Sequence, residues 1–241
     1  MKRAFHLLAG DLRNIFRDPL LAFIPFAPIL AALIIRIVFP YLNIFLQQQY
    51  HFNFSIYYSF VLSIIILSTP VYFGMIIGFL LLDERDEQIL NYVAVTPLQK
   101  TGFLVYRTML PVIVSIIFSY LLILMVGIVK PDLLKFLPVA LMVSLEAPMY
   151  ALFLGAFAGN KIEGLALAKG LGVLFIAPAA GYFIKSNWQF IAGIVPLYWV
   201  SKAYLAIEGP LMEFWFYVIS GFVIHGAVIY ILLRIFKEKT D

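Results

Sequence analysis

An all-α membrane protein with six transmembrane helices is the fold this sequence predicts. Three observations point there. Of its 241 residues, 63% are hydrophobic, and only 12% are charged. The apolar residues also fall in runs close to or above the ~20 that a spanning helix needs. A soluble domain carries about twice that charged fraction, so lipid must solvate most of this surface. Mean hydropathy is +1.00 and the sequence pI about 9.2. The bases sit at the ends of apolar runs rather than in one patch, which argues against nucleic acid. There is no cysteine, which excludes disulfides, thiol chemistry and Cys-based metal sites.

Residues 1–19 read as an amphipathic helix in a basic membrane interface. Phe5, Leu8, Leu12, Ile15 and Phe16 recur at helical spacing, with Lys2, Arg3, Arg13, Asn14 and Arg17 on the other side. A positively flanked lead-in to the first span fits the same residues. No uninterrupted apolar run precedes Asp11 and Arg13, so a secretory signal is not expected. Six spans follow, at about 20–40, 56–82, 102–129, 136–158, 165–184 and 212–236. Pro25, Pro28, Pro70, Pro111, Pro148 and Pro178 lie inside them, where neighbouring helices can satisfy the freed carbonyls. With the first residues inside, twelve Lys and Arg residues fall in cytoplasmic segments and four outside, Arg36 snorkelling outward. That bias predicts both termini in the cytoplasm.

The outer segments 41–55 and 130–135 are too short to fold as domains. Residues 185–211 are apolar but broken by Gly193, Pro196, Gly209 and Pro210. They read as an outer re-entrant hairpin, with Trp188, Tyr198, Trp199 and Tyr204 at headgroup depth. Gly74-x-x-x-Gly78 and Gly155-x-x-x-Gly159 permit close helix approach.

The densest charge in the chain is Asp83-Glu84-Arg85-Asp86-Glu87, followed by Ile89, Leu90 and Val93, and then Thr96-Pro97. Asp83 or Glu84 can cap a helix whose start the acids favour, and Pro97 discourages its continuation. Segment 83–101 is therefore read as a short amphipathic helix between spans two and three. It either rests on lipid headgroups or docks on a cytoplasmic partner. Anionic lipid would repel the acids and a basic protein surface would attract them.

No phosphate-binding G-x-x-x-x-G-K-[ST] loop occurs, nor H-E-x-x-H, nor G-x-S-x-G. The three histidines, His6, His51 and His225, fall in different segments. No catalytic site, metal site or cofactor is expected in this chain. Within the spans, Glu146 and His225 are the substrate-pathway candidates, because an ionisable group in lipid is costly. Glu146 can contact a cationic substrate, pair with Lys169 or His225, or serve packing alone. The same two residues suit a proton relay in a secondary transporter. A membrane assembly or sensing protein without transport activity is a further class.

Glu84, Glu87, Ile89-Leu90, Val93 and Thr96-Pro97-Leu98 together resemble the cytoplasmic loop of ABC-2-type permeases. The Gly-Thr that usually follows the acids is absent, and Gln88 stands nearby. Arg17-Asp18-Pro19 resembles that family's connecting helix, and Val195-Pro196-Leu197 with Val200 and Tyr204 resembles its outer hairpin. The resemblance implies a type II ABC exporter fold. It also implies a half-transporter that pairs with a second permease copy, identical or related. Separate ATPase subunits would then carry the ATP and magnesium. Asp83, Glu84, Arg85, Asp86, Glu87, Ile89, Leu90, Val93, Thr96 and Pro97 would couple to the ATPase, and Pro196, Tyr198, Trp199 and Tyr204 would form an outer gate. The lack of a large outer domain directs the expectation to export of a hydrophobic or amphipathic drug or antimicrobial peptide across a prokaryotic plasma membrane.

Overall fold

The computed structural model describes residues 13–94 and 99–240, and these are helices and short connections with no strand among them. Residues 1–12 of the expected amphipathic helix lie outside the described residues, and residues 13–17 are helical. Six helices are long and apolar enough to cross a membrane: Leu21–Tyr50, Phe54–Asp86, Gly102–Val126, Leu133–Phe157, Lys161–Phe183 and Leu211–Lys239. They are spans one to six here. The end of the bundle that holds residues 13–18, 83–94 and 158–163 is called proximal, and the other end distal.

Two differences from the expected boundaries bear on the polar and charged segments. Span one runs on to Tyr50 rather than ending near residue 40. Its last turns hold Leu46 and three glutamines, residues that favour helix. His51, in the left-handed conformation (φ 51°), closes the helix by donating its amide to Gln47. Span two continues through Asp86, so Asp83, Glu84 and Arg85 end that span instead of capping the next helix. The chain turns at Gln88, where φ is 58°, and the short helix Ile89–Ala94 follows.

Spans two and four are the most enclosed, and they face each other. Their closeness depends on Gly74 and Gly78. A Cβ at Gly74 would press on the Ala147 carbonyl and lie 2.9 Å from Tyr150 Cβ, and one at Gly78 would lie 2.8 Å from Leu154 Cδ1. The core divides along the bundle. A distal cluster includes Phe136, Tyr198 and Phe214, and a proximal one includes Phe79, Leu82 and Phe236.

The segment between spans five and six forms a 3₁₀ stretch, Asn187–Ile194, and the helix Pro196–Leu205 with proline at its start. That helix packs inward against spans two, four, five and six. Ser201 meets Ser63 of span two at 3.0 Å. Tyr198, Trp199 and Tyr204 are buried in the distal core, whereas Trp188 is exposed. Trp199 Nε1 donates to the Gly193 carbonyl at 2.7 Å, so its one polar atom is satisfied within the protein.

The contact at Gly74 predicts that Gly74→Ala costs about 1–3 kcal/mol through overpacking. Thermal unfolding in detergent should show a lower midpoint than wild type. An unchanged midpoint would mean that spans two and four are not in this contact.

Candidate functional site

Helix-breaking residues shape the centre of the bundle. Span four consists of two helices, Leu133–Ser144 and Glu146–Phe157, broken at Leu145. Pro148 has no amide to offer the Ser144 carbonyl, so the ladder lapses at this point. Glu146 thereby falls in the first turn of the second helix, where the positive end of the helix favours a carboxylate. Span five is interrupted by the 3₁₀ stretch Leu171–Phe175, between Gly170 and Pro178.

Glu146 and His225 are both fully buried, and they meet across spans four and six. His225 Nε2 lies 3.1 Å from Glu146 Oε1, and His225 Nδ1 lies 2.7 Å from the Gly221 carbonyl. A carbonyl only accepts, so Nδ1 carries a proton. Nε2 then either accepts from a protonated Glu146 or donates to a carboxylate. Glu146 Oε2 has no hydrogen-bond partner, nor has the buried Tyr150 hydroxyl one turn along the same helix.

A cavity of about 300 Å³ opens beside these atoms. Its walls are span four (Glu146, Met149, Tyr150, Phe153), the 3₁₀ stretch of span five (Leu171, Leu174), residues Ile194–Leu197, and span six (Val228, Leu232). His225 stands behind Glu146 rather than on the wall. A second cavity of about 260 Å³ lies between spans two and five, with Lys169 on its lining. Tyr150 and Leu171 border both cavities.

The acidic run at the proximal end is largely turned inward. Glu84 and Arg107 of span three form a buried ion pair, with the Arg107 guanidinium 5.1 Å from the Phe103 ring centre. Asp83 accepts from Lys161 at 2.9 Å, and the same ammonium reaches Asp18 at 2.7 Å. Arg85 donates to the carbonyls of Ala158 at 2.9 Å and Gly159 at 2.8 Å, which close the end of span four. Asp86 and Glu87 are exposed. Ile89 is half-buried, and Val93 packs on the proximal core. Leu90 lies within the short helix, while Thr96 and Pro97 lie outside the described residues.

At the distal end, Arg36 donates to Met125 at 2.9 Å and so closes span three, a role its position near a span end did not reveal. Asp132 caps span four. Lys135 donates to the Ile207 carbonyl at 3.2 Å. Lys202, between spans five and six, donates to Gln189 at 2.9 Å. Burial lowers its pKa from the ordinary lysine value, Glu213 opposes that, and Lys185 adds to it. Among the described residues, no three His, Asp or Glu side chains gather as a metal site.

Residues 11–233 match the family described as fluoroquinolones export permease protein Rv2686c-like. The chain belongs to this family. Two curated relatives are the fluoroquinolones export permease proteins MT2760 and Rv2686c, from Mycobacterium tuberculosis strains CDC 1551 / Oshkosh and ATCC 25618 / H37Rv. Each is 32% identical over 233 residues, covering 95% of this chain and 92% of the relative. No solved structure matches. The Rv2686c-like match takes in spans one to five and all but the end of span six, so it covers the bundle and both cavities.

The buried pair at the proximal end predicts that Glu84→Ala destabilises by about 3–5 kcal/mol, because Arg107 stays buried and loses the Glu84 carboxylate. The double variant Glu84→Leu/Arg107→Met should recover much of that loss. Both are read from thermal unfolding in detergent. A Glu84→Ala midpoint equal to wild type would remove the pair's structural role.

Proposed function

We propose that this chain is the permease half of an ATP-driven exporter of drugs. The observation that carries the reading is identity of 32% across 95% of the chain to relatives named for fluoroquinolone export. Six apolar helices and the lack of a phosphate-binding loop fit that role, since energy then enters from another chain. Two permease copies, identical or related, would dock on two ATPase subunits that hold ATP and magnesium. The cargo would be a hydrophobic or amphipathic drug or peptide. In this reading the proximal end and both termini face the cytoplasm of a prokaryotic cell and the spans lie in its plasma membrane; the bias of Lys and Arg supports that orientation.

The proximal geometry supports a narrower coupling surface within this reading. Asp83, Glu84 and Arg85 tie helices together, whereas Asp86, Glu87 and Tyr92 are exposed where spans two and three are joined. Those three side chains would meet a basic, grooved face of the ATPase. ATP-driven closure there would push the joint and tip the spans between two states. The buried aromatics Tyr198, Trp199 and Tyr204, with Pro196 at the head of their helix, would form the outer gate.

The Glu146–His225 contact favours a second reading, proton-coupled transport. Proteoliposomes separate the two. With any ATPase encoded beside this chain, ATP should drive fluoroquinolone uptake into inside-out vesicles without a proton gradient. Uptake that needs the gradient and ignores ATP would reverse the choice. In the ATP-driven system, Asp86→Lys/Glu87→Lys should lower uptake at least about tenfold while insertion and unfolding midpoint stay at wild type. Unimpaired uptake would remove the coupling assignment.

A further inference from the structure

We propose that a further cavity, at the distal ends of spans five and six, binds a phosphodiester anion of the kind an acidic phospholipid headgroup carries. Lys185 and Lys202 donate to the phosphate, and Glu213 accepts from hydroxyls beside it. The site is separate from the cavities beside Glu146 and Lys169.

This cavity has a volume of about 320 Å³, and Lys185, Lys202 and Glu213 all line it. Lys185 and Glu213 are exposed and Lys202 is half-buried, so their charged groups remain open to a ligand. The Lys185 ammonium stands 5.2 Å from the Tyr182 ring centre, and the Lys202 ammonium 5.1 Å from that of Tyr217. Lys202 gives one N–H to Gln189 at 2.9 Å, and the Gly181 carbonyl lies at 3.5 Å. An ammonium has three N–H donors, so Lys202 keeps at least one for a ligand. Among the described residues, neither lysine forms an ion pair with a carboxylate. Their mutual repulsion adds to burial in lowering the Lys202 pKa. An anion held between them relieves that repulsion and makes charge-assisted hydrogen bonds.

Charge and position define the ligand. Two ammoniums against one carboxylate leave one positive charge over, which a singly charged phosphodiester balances. Glu213 Oε1 accepts from the Tyr217 hydroxyl at 2.9 Å. A carboxylate has room for more donors, and the hydroxyls of a glycerol headgroup supply them. A phosphocholine group carries no net charge and offers no N–H or O–H. Span five ends at Phe183 and span six begins at Leu211, so the cavity lies where headgroups meet helix ends. Basic pockets between spans suit anionic headgroups. Phe183, Ile184, Met212 and Phe216, next to the lining residues in sequence, are exposed apolar side chains that acyl chains can cover.

The test uses the full chain in detergent, titrated with dioctanoyl phosphatidylglycerol or dioctanoyl phosphatidylcholine. Native mass spectrometry counts the lipid that stays bound. Wild type should hold phosphatidylglycerol at least about tenfold more tightly than phosphatidylcholine, the size expected for a hydrogen bond between charged groups. Lys185→Gln/Lys202→Gln should abolish most of that preference. Lys185→Gln alone should lower it at least about threefold. That side chain is exposed and gives no hydrogen bond among the described residues, so the single variant carries the test if the double variant fails to fold. Lys130→Gln removes an exposed charge elsewhere at the distal end and should keep the preference. Equal retention of the two lipids by wild type, or a preference that survives in Lys185→Gln, would overturn the assignment. So would its loss in Lys130→Gln. Glycerophosphoglycerol, the headgroup without its chains, separates the sources. Lipid that stays bound in its presence is the ligand. Displacement at equal concentration would support the phosphodiester chemistry and overturn a lipid source.

Discussion

Lipid offers no hydrogen bonds, so each polar group at membrane depth must be satisfied from within the protein. That constraint accounts for the charges that tie the helix ends together. Arg85 closes the end of span four on the Ala158 and Gly159 carbonyls. Arg36 closes span three on Met125. Lys161 holds Asp18 and Asp83 together, and Glu84 neutralises Arg107. An apolar protein gathers its densest charge at residues 83–87 because several helices end there. Single side chains reach the carbonyls and ions of neighbours that lie far away in sequence.

Against that background, Glu146 stands apart. Its carboxyl meets His225 in the middle of the bundle, and one of its oxygens has no partner. It sits where span four is broken, next to the point where span five loosens into a 3₁₀ stretch. Both interruptions follow from prolines, Pro148 and Pro178, that withhold an amide inside a span. Breaks of this kind are tolerated at membrane depth where backbone lines a cavity. The same residues that weaken the helices thus create the space beside the carboxylate. A cavity bordered by a 3₁₀ stretch and by the second half of a broken helix can also change shape at little cost.

Much of this was legible in the sequence. Six spans follow from apolar runs, because lipid imposes a minimum length that few other folds imitate. Glu146 and His225 stood out because ionisable groups in lipid are rare. Their pairing is one of several options that the sequence leaves open for Glu146, and with 79 residues and one span between them only the structure selects His225 over Lys169. The ownership of Asp83, Glu84 and Arg85 was hidden for the same reason: Lys161, Arg107 and the end of span four are tertiary partners. Without them the acids look like the start of a new helix. Span one outran its expected end because a polar, glutamine-rich turn has helix propensity but no apolar signal. Tyr198, Trp199 and Tyr204 resemble an interfacial belt in one dimension. In three dimensions spans two, four, five and six surround their helix, and Trp199 is buried with its indole N–H satisfied by Gly193.

The state of the Glu146–His225 contact is the most direct measure of this account. Nitrogen NMR on histidine-labelled protein in lipid bilayers can resolve it, since the chain has only three histidines. The account predicts that His225 Nδ1 is protonated and hydrogen-bonded, and that Glu146→Gln shifts the Nε2 resonance while leaving Nδ1 nearly in place. An unprotonated Nδ1, or an Nε2 resonance indifferent to Glu146→Gln, would contradict it.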